Sequence, residues 1–152
     1  MLSSKFVIVA TLALTVAVHA QEKKISRADL PPAVEKTVAV QSEGATVRGF
    51  STEKEDGKTF YEAELTVGGH SKDVLIDPSG AVVEVEEQVA LDSLSSTVKE
   101  GLQAKAEKGK ILKVESITKH DKLVAYEAVV QTGGKKAEVQ VGPEGKPLDH
   151  EE

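Results

Sequence analysis

Apolar residues recur every fourth position at two places in the chain, a spacing that lines them up along one side of an α-helix. Pro31 and Pro32 lie at the start of the first stripe. A helix tolerates proline in its first turn, because the backbone N–H groups there have no acceptor within the helix and a missing N–H costs nothing. Serine and aspartate, which can cap a helix, precede the second stripe. The pattern therefore predicts two helices of about three to four turns. The stripes are Leu30, Val34 and Val38 in the first helix and Leu94, Val98 and Leu102 in the second.

Strict alternation of apolar and polar residues follows each helix and predicts strands with one buried face. Tyr61, Ala63 and Leu65 alternate with Glu62 and Glu64. The residues around Tyr126 alternate in the same way. Gly-Gly pairs at 68–69 and 133–134 suit hairpin turns, and segments 77–80 and 142–145 suit type I turns that lead into a last strand. Each helix should therefore be followed by about four antiparallel strands.

The chain is similar to itself at an offset of about 64 residues. The matching positions include a tyrosine, a glutamate, two glycines and a Pro-x-Gly turn, all in register. This similarity predicts two modules, residues 21–88 and 89–152, and an α+β fold class in which each module is an N-terminal helix on its own antiparallel sheet. We expect the modules to pack together with a groove between them, because a module of about 60 residues is marginally stable alone. The main matches are Tyr61 with Tyr126, Glu62 with Glu127, Gly68 and Gly69 with Gly133 and Gly134, and Pro78 with Pro143.

The first 20 residues have the pattern of an export signal. Lys5 precedes an apolar run of about 13 residues, which is shorter than a membrane span and typical of a signal peptide. Small or β-branched residues at Val18 and Ala20 predict cleavage after Ala20. We therefore expect a periplasmic or secreted protein with no stable membrane anchor after cleavage.

Composition removes several classes of function. The net charge of −6 argues against nucleic-acid binding, which depends on clustered Lys and Arg. Aromatic residues make up only 3% of the chain, and protein interfaces with high affinity rely on them. The chain has no Cys, so it has no disulfide and no thiolate metal site.

A series of short motifs resembles a known family. The first module contains Leu30-Pro31, Asp56-Gly57, Tyr61-Glu62-Ala63 and Asp77-Pro78-Ser79-Gly80. This series resembles the PepSY-like modules related to the β-lactamase inhibitor protein, over nearly the whole chain after residue 20. The resemblance implies a duplicated extracytoplasmic fold that acts as a non-catalytic binding or peptidase-inhibiting unit. The low aromatic content argues against inhibition of a β-lactamase.

The candidate chemistry is weak. Ser96 and Lys99 have the Ser-x-x-Lys spacing of serine acyl-transferases, but the motifs that accompany it in such enzymes are missing. The histidines lack the spacing of metal ligands. Glu84 and Glu86 are interpreted as part of a solvated acidic edge rather than a calcium loop. We therefore expect no enzymatic activity, no cofactor and no metal.

Tyr61, Glu62, Tyr126 and Glu127 form the best repeated polar pairs and are the candidate binding residues. The favoured interpretation of these pairs is structural, with tyrosine packed under the helix and glutamate outside. The leading functional hypothesis is a protein-binding or peptidase-inhibitor-like module whose partner is an extracytoplasmic protein or peptidase. The alternative is a small-ligand or cation-binding protein that uses the groove between modules.

Overall fold

The computed structural model describes residues 22–55 and 57–152, so the predicted signal segment and Asp56 lie outside it. In this part of the chain there are two α-helices, neither of them long and apolar enough to cross a membrane. They are α1 (Pro32–Gln41) and α2 (Ser96–Ala106). The strands are β1 (Lys23–Ile25), β2 (Thr46–Glu55), β3 (Lys58–Val67), β4 (His70–Ile76), β5 (Val82–Val89), β6 (Lys110–Lys119), β7 (Lys122–Thr132) and β8 (Lys135–Val141).

All eight strands form one antiparallel sheet in chain order. The predicted α+β fold class, with two repeated helix-plus-sheet modules, is therefore wrong: the molecule is mostly β, with a single continuous sheet. β5 makes the sheet continuous, because it pairs with β4 on one side and with β6 on the other.

The pairing of β5 with β6 has a simple physical reason. Two separate sheets would each present a row of unpaired backbone N–H and C=O groups where β5 and β6 now meet. Pairing satisfies these groups over six residue pairs, from Glu84 opposite Lys119 to Val89 opposite Val114. Glu84 and Glu86 therefore lie on an interior strand, and their predicted position on a sheet edge is also wrong.

The second half of the chain has one strand fewer than predicted. After the turn in which the Gly145 N–H donates to the Gly142 carbonyl at 2.8 Å, no strand follows in the residues up to Glu152. Pro147 contributes to this because it has no N–H to donate to a neighbouring strand. The equivalent turn in the first half, at Asp77, leads into β5.

The two helices form where the apolar stripes predicted them. Ser95 caps α2 by accepting a hydrogen bond from the Val98 N–H at 3.3 Å, and Pro32 occupies the first turn of α1. Asp29 belongs to a short 3-10 turn before α1, where its carboxylate accepts hydrogen bonds from the backbone N–H and hydroxyl of Ser26.

Each helix covers its own apolar cluster on the sheet. Both clusters lie on the same face, because Val85 packs on the first and Val89 on the second, and residues four apart in one strand share a face. The opposite face carries no helix in the described part of the chain, and we call it the helix-free face. The first cluster contains Leu30, Val34, Val38, Phe50, Ala63, Leu65, Val74 and Ile76, and the second contains Val98, Leu102, Ala106, Val114, Ala128, Val130 and Val141.

Gly145 lies where α2 presses against the turn that follows β8. Its φ is +78°, and a Cβ at this position would collide with the backbone carbonyl of Thr97. Gly145→Ala should therefore destabilise the protein by about 2 kcal/mol, the sum of a left-handed backbone and a backbone clash. Gly134→Ala is the matched control, because Gly134 has a φ of +82° but no atom within 4 Å of the added Cβ. Urea unfolding of both variants checks this, and equal losses would show that the close approach to α2 is unimportant.

Candidate functional site

The helix-free face carries at least one carboxylate from each of five consecutive strands, and one from each is considered together. These residues alternate with core residues in their strands, so they point away from the helices. Two pairs of them are directly opposite each other across neighbouring strands: Asp73 with Glu86, and Glu115 with Glu127. We call this set the acidic row. It consists of Glu62 on β3, Asp73 on β4, Glu86 on β5, Glu115 on β6 and Glu127 on β7.

Two members of the acidic row, Glu115 and Asp73, form ion pairs with basic side chains that stabilise their negative charge. Glu115 is only 4% exposed and pairs with the Lys113 ammonium at 2.7 Å. It also accepts a hydrogen bond from the Ser71 hydroxyl at 3.1 Å. Asp73 pairs with the Arg48 guanidinium at 2.6 Å.

Neutral donors hold two further members. Glu62 accepts a hydrogen bond from the Ser51 hydroxyl at 2.7 Å, and Glu127 accepts one from the Gln140 amide at 2.8 Å. Glu86 differs from all of these, because its carboxylate has neither an ion pair nor a neutral hydrogen-bond donor among the described side chains. When ionised, Glu86 is therefore the least compensated carboxylate of the row.

Burial dominates the electrostatics of the row. Burial first, and then the charges of Glu127, Glu84 and Glu115, together raise the pKa of Glu86 to about 8. The pKa values of Glu62, Asp73 and Glu127 are also raised, in each case first by burial. At neutral pH the helix-free face therefore holds carboxyl groups that would bind either a proton or a cation favourably.

A small depression lies at the Asp73 end of the row. Its volume is about 90 Å³, and five carboxylates and Leu75 line it. We call it the acidic pocket. Besides three members of the row, its carboxylates include Glu53, whose pKa is raised by burial and by the charge of Glu84. The lining residues are Glu53, Glu62, Asp73, Leu75, Glu84 and Glu86.

A larger depression of about 700 Å³ adjoins the acidic pocket and shares Leu75 and Glu84 with it. Phe60 and Val83 contribute further apolar surface. We call it the apolar pocket. Its walls come from the turns at one end of the sheet, including the turn at His120, whose N–H donates to the Val83 carbonyl at 3.1 Å. The remaining lining residues are Glu55, Lys58, Thr59, Asp77, Pro78, Ser79, Lys119 and His120.

The structure does not bring the four predicted binding residues together. Tyr61 and Tyr126 face the helices and pack against the two apolar clusters, whereas Glu62 and Glu127 belong to the acidic row on the other face. Residues next to each other in a strand point to opposite faces, so no Tyr-Glu pair can form one site. Whether the glutamates bind a ligand stays a prediction.

The sequence did not predict that Asp73, Glu86 and Glu115 lie close to one another. One signal was available in β5, where Val83, Val85 and the intervening glutamates alternate. In an interior strand that alternation places Glu84 and Glu86 together on the face that the core does not use. Three of the carboxylates, Asp73, Glu86 and Glu115, lie within 4.8 Å of one another, as do Glu22, Glu62 and Glu64.

No protein-family model matches the chain, and no curated protein matches it. Its fold does match solved structures. A protein of Bacteroides eggerthii that is assigned to the periplasm gives a TM-score of 0.63 at 17% identity, covering 78% of this chain and 86% of that one. A DUF2874 family protein of Bacteroides ovatus gives a TM-score of 0.60 at 23% identity, covering 80% and 86%. A BLIP-like protein of Bacteroides fragilis gives a TM-score of 0.57 at 16% identity, covering 78% and 83%.

At these identities the likeness concerns the fold alone. The resemblance drawn from the sequence is thus confirmed as far as a BLIP-like fold, while the PepSY-like family itself stays a prediction. The chain shares its fold with BLIP-like and DUF2874 family proteins of Bacteroides.

Proposed function

We propose that this protein is an exported, non-catalytic module that binds another protein of the cell envelope through its helix-free face. Export is supported by the predicted signal segment and by a fold shared with proteins that are assigned to the periplasm. Binding to a protein, as an inhibitor-like module would bind, is supported by the likeness to a BLIP-like structure and by the open face of the sheet.

The acidic row is the observation that carries this proposal. Burying a carboxylate without a cation costs free energy, and an apolar residue at Glu86 would avoid that cost. Groups with strongly shifted pKa values cluster at functional sites. A partner that supplied positive charge would recover the lost free energy in the complex.

Capture from cells tests the proposal. The full chain with a C-terminal tag is cross-linked to its neighbours in the producing cell, and the enriched proteins are quantified by mass spectrometry. The Glu62→Gln/Glu86→Gln variant should lose most of the enrichment of a specific envelope protein. Glu43→Gln/Glu100→Gln is the control, because it makes the same two substitutions at exposed positions outside the row. Equal enrichment by both variants would contradict binding through the helix-free face.

The alternative hypothesis is a small-ligand or cation-binding protein that uses a groove between the two halves of the chain. The direct pairing of β5 with β6 leaves no gap within the sheet itself. The carboxylates within reach of one ion remain, but such clusters are common on acidic surfaces. Melting curves with and without calcium chloride or magnesium chloride test this alternative, since a bound ion raises the melting temperature.

A further inference from the structure

The acidic pocket and the apolar pocket are adjacent, and each suits a different kind of side chain. They share a wall made by Leu75 and Glu84, which are paired across β4 and β5. We infer that the occupant of the helix-free face is a protein segment that presents a lysine or arginine side chain beside a bulky apolar side chain. This inference rests on the proposed function and specifies the partner.

The acidic pocket lacks positive charge of its own. Arg48 is engaged with Asp73 at 2.6 Å and with Glu64 at 3.6 Å, and Lys119 lies 3.7 Å from Glu84. Among the described residues, Glu62 and Glu86 have no ion pair. An incoming cation would therefore meet carboxylates that are already desolvated, where charge pairing is stronger than at an open surface.

The size of the acidic pocket limits what can enter. Its volume of about 90 Å³ suits the end of one long side chain and excludes a folded element. Lysine and arginine carry their charge at the end of a slender stem, so either can insert the charge while the stem contacts Leu75.

The apolar pocket suits the neighbouring side chain. Phe60, Leu75 and Val83 offer apolar surface, while Lys58, Lys119 and Glu84 supply charges of both signs at its edge. Lys119 is balanced by Glu84 at 3.7 Å and by Glu152 at 3.4 Å. The binding free energy of a side chain in this pocket therefore depends on its apolar area rather than on its charge. Aromatic or large aliphatic side chains would bind there most favourably.

The spacing of the pockets favours a chain segment over a small molecule. In an extended segment, alternate side chains lie on the same side about 7 Å apart, which suits two pockets separated by a single shared wall. Both pockets are also open depressions, whereas small-molecule sites bury most of their ligand.

A synthetic peptide tests the inference with the full-length protein. The probe is a capped pentapeptide that carries arginine, serine and phenylalanine, in this order, between two glycines. NMR titration measures its binding to the protein. We expect binding to weaken at least about tenfold when glutamate replaces the arginine, and about fivefold when serine replaces the phenylalanine. Raising the salt from about 0.02 M to about 0.3 M should weaken binding as well, because the charge contribution is screened.

Variants of the protein locate the peptide. Glu86→Gln should weaken binding of the arginine peptide several-fold, and Phe60→Ala should remove the advantage of the phenylalanine. Glu100→Gln, an exposed position on α2, should leave binding unchanged. Melting curves of each variant show that it is folded before it is titrated.

The outcomes separate this inference from the proposed function. If none of the peptides binds, or if all bind equally, the inference is overturned. Capture that still depends on Glu62 and Glu86 would then keep the proposed function and point to a partner of different chemistry. Displacement of the peptide by calcium alone, without dependence on the phenylalanine, would also overturn the inference and would favour a cation site.

Discussion

Replacing Glu86 by glutamine should stabilise the protein at pH 8 and leave its stability at pH 4 almost unchanged. The folded-state pKa of Glu86 is raised from 4.5 to about 8, first by burial and then by neighbouring carboxylates. The folded protein therefore binds this proton more tightly than the unfolded chain does. The resulting stabilisation is fully present below pH 4.5 and is lost as the pH rises towards 8.

Glutamine keeps the shape of Glu86 but carries no charge, so the variant should not lose this stability as the pH rises. Each tenfold preference for the protonated form corresponds to about 1.4 kcal/mol, and we expect the variant to gain about 2 kcal/mol at pH 8. Urea unfolding of both proteins at several pH values between 4 and 8 measures the difference. Glu100→Gln should show no such trend, and a Glu86→Gln variant less stable than the parent at pH 8 would contradict the prediction.

This expected gain also bears on function. A residue whose removal stabilises the protein is retained at a cost, and such costs are typical of binding sites. We therefore expect Glu86→Gln to be more stable and to bind the arginine peptide more weakly. If Glu86→Gln is more stable and also binds the peptide more weakly, Glu86 has a role in binding. If it is more stable and binds the peptide equally well, Glu86 is only unfavourable for stability.

Leu102→Ala should destabilise the whole molecule by about 2–5 kcal/mol in a single transition. The Leu102 side chain is 0% exposed and lies in the second apolar cluster with Val114 and Val141. Because β5 and β6 join both halves into one sheet, the loss should also lower the protection of the first half.

Amide hydrogen exchange measures this coupling. The backbone N–H groups of Leu65 and Val74 report on the first half of the sheet, and that of Val139 reports on the second. All three should exchange faster in Leu102→Ala by a similar factor. Val40→Ala is the control, because Val40 is 60% exposed on α1 and its loss should cost at most about 0.5 kcal/mol. Unchanged exchange at Leu65 and Val74 would show that the two halves unfold independently.

Part of the candidate site could be predicted from the sequence. The alternation around Tyr61 and Tyr126 places Glu62 and Glu127 on the face opposite the core, and both lie there. That Asp73, Glu86 and Glu115 lie together could not be predicted, because the pairing of β5 with β6, which brings Glu86 close to Glu115, joins segments from different halves of the chain. The apolar pocket has the same origin, since Phe60, Leu75 and Val83 come from three different strands or turns.

The sequence by itself determined the local structure: two helices at apolar stripes, hairpins at Gly-Gly pairs, and the face of each strand that joins the core. These features depend on backbone sterics and on contacts within a few residues. Only the tertiary structure decided that β5 pairs with β6, which makes one sheet instead of two modules. Exposed strand edges pair because unpaired backbone groups are costly, and internal sequence similarity contains no information about which edges meet. That one pairing also places Glu86 beside Glu115 and Glu127, and so creates the acidic row.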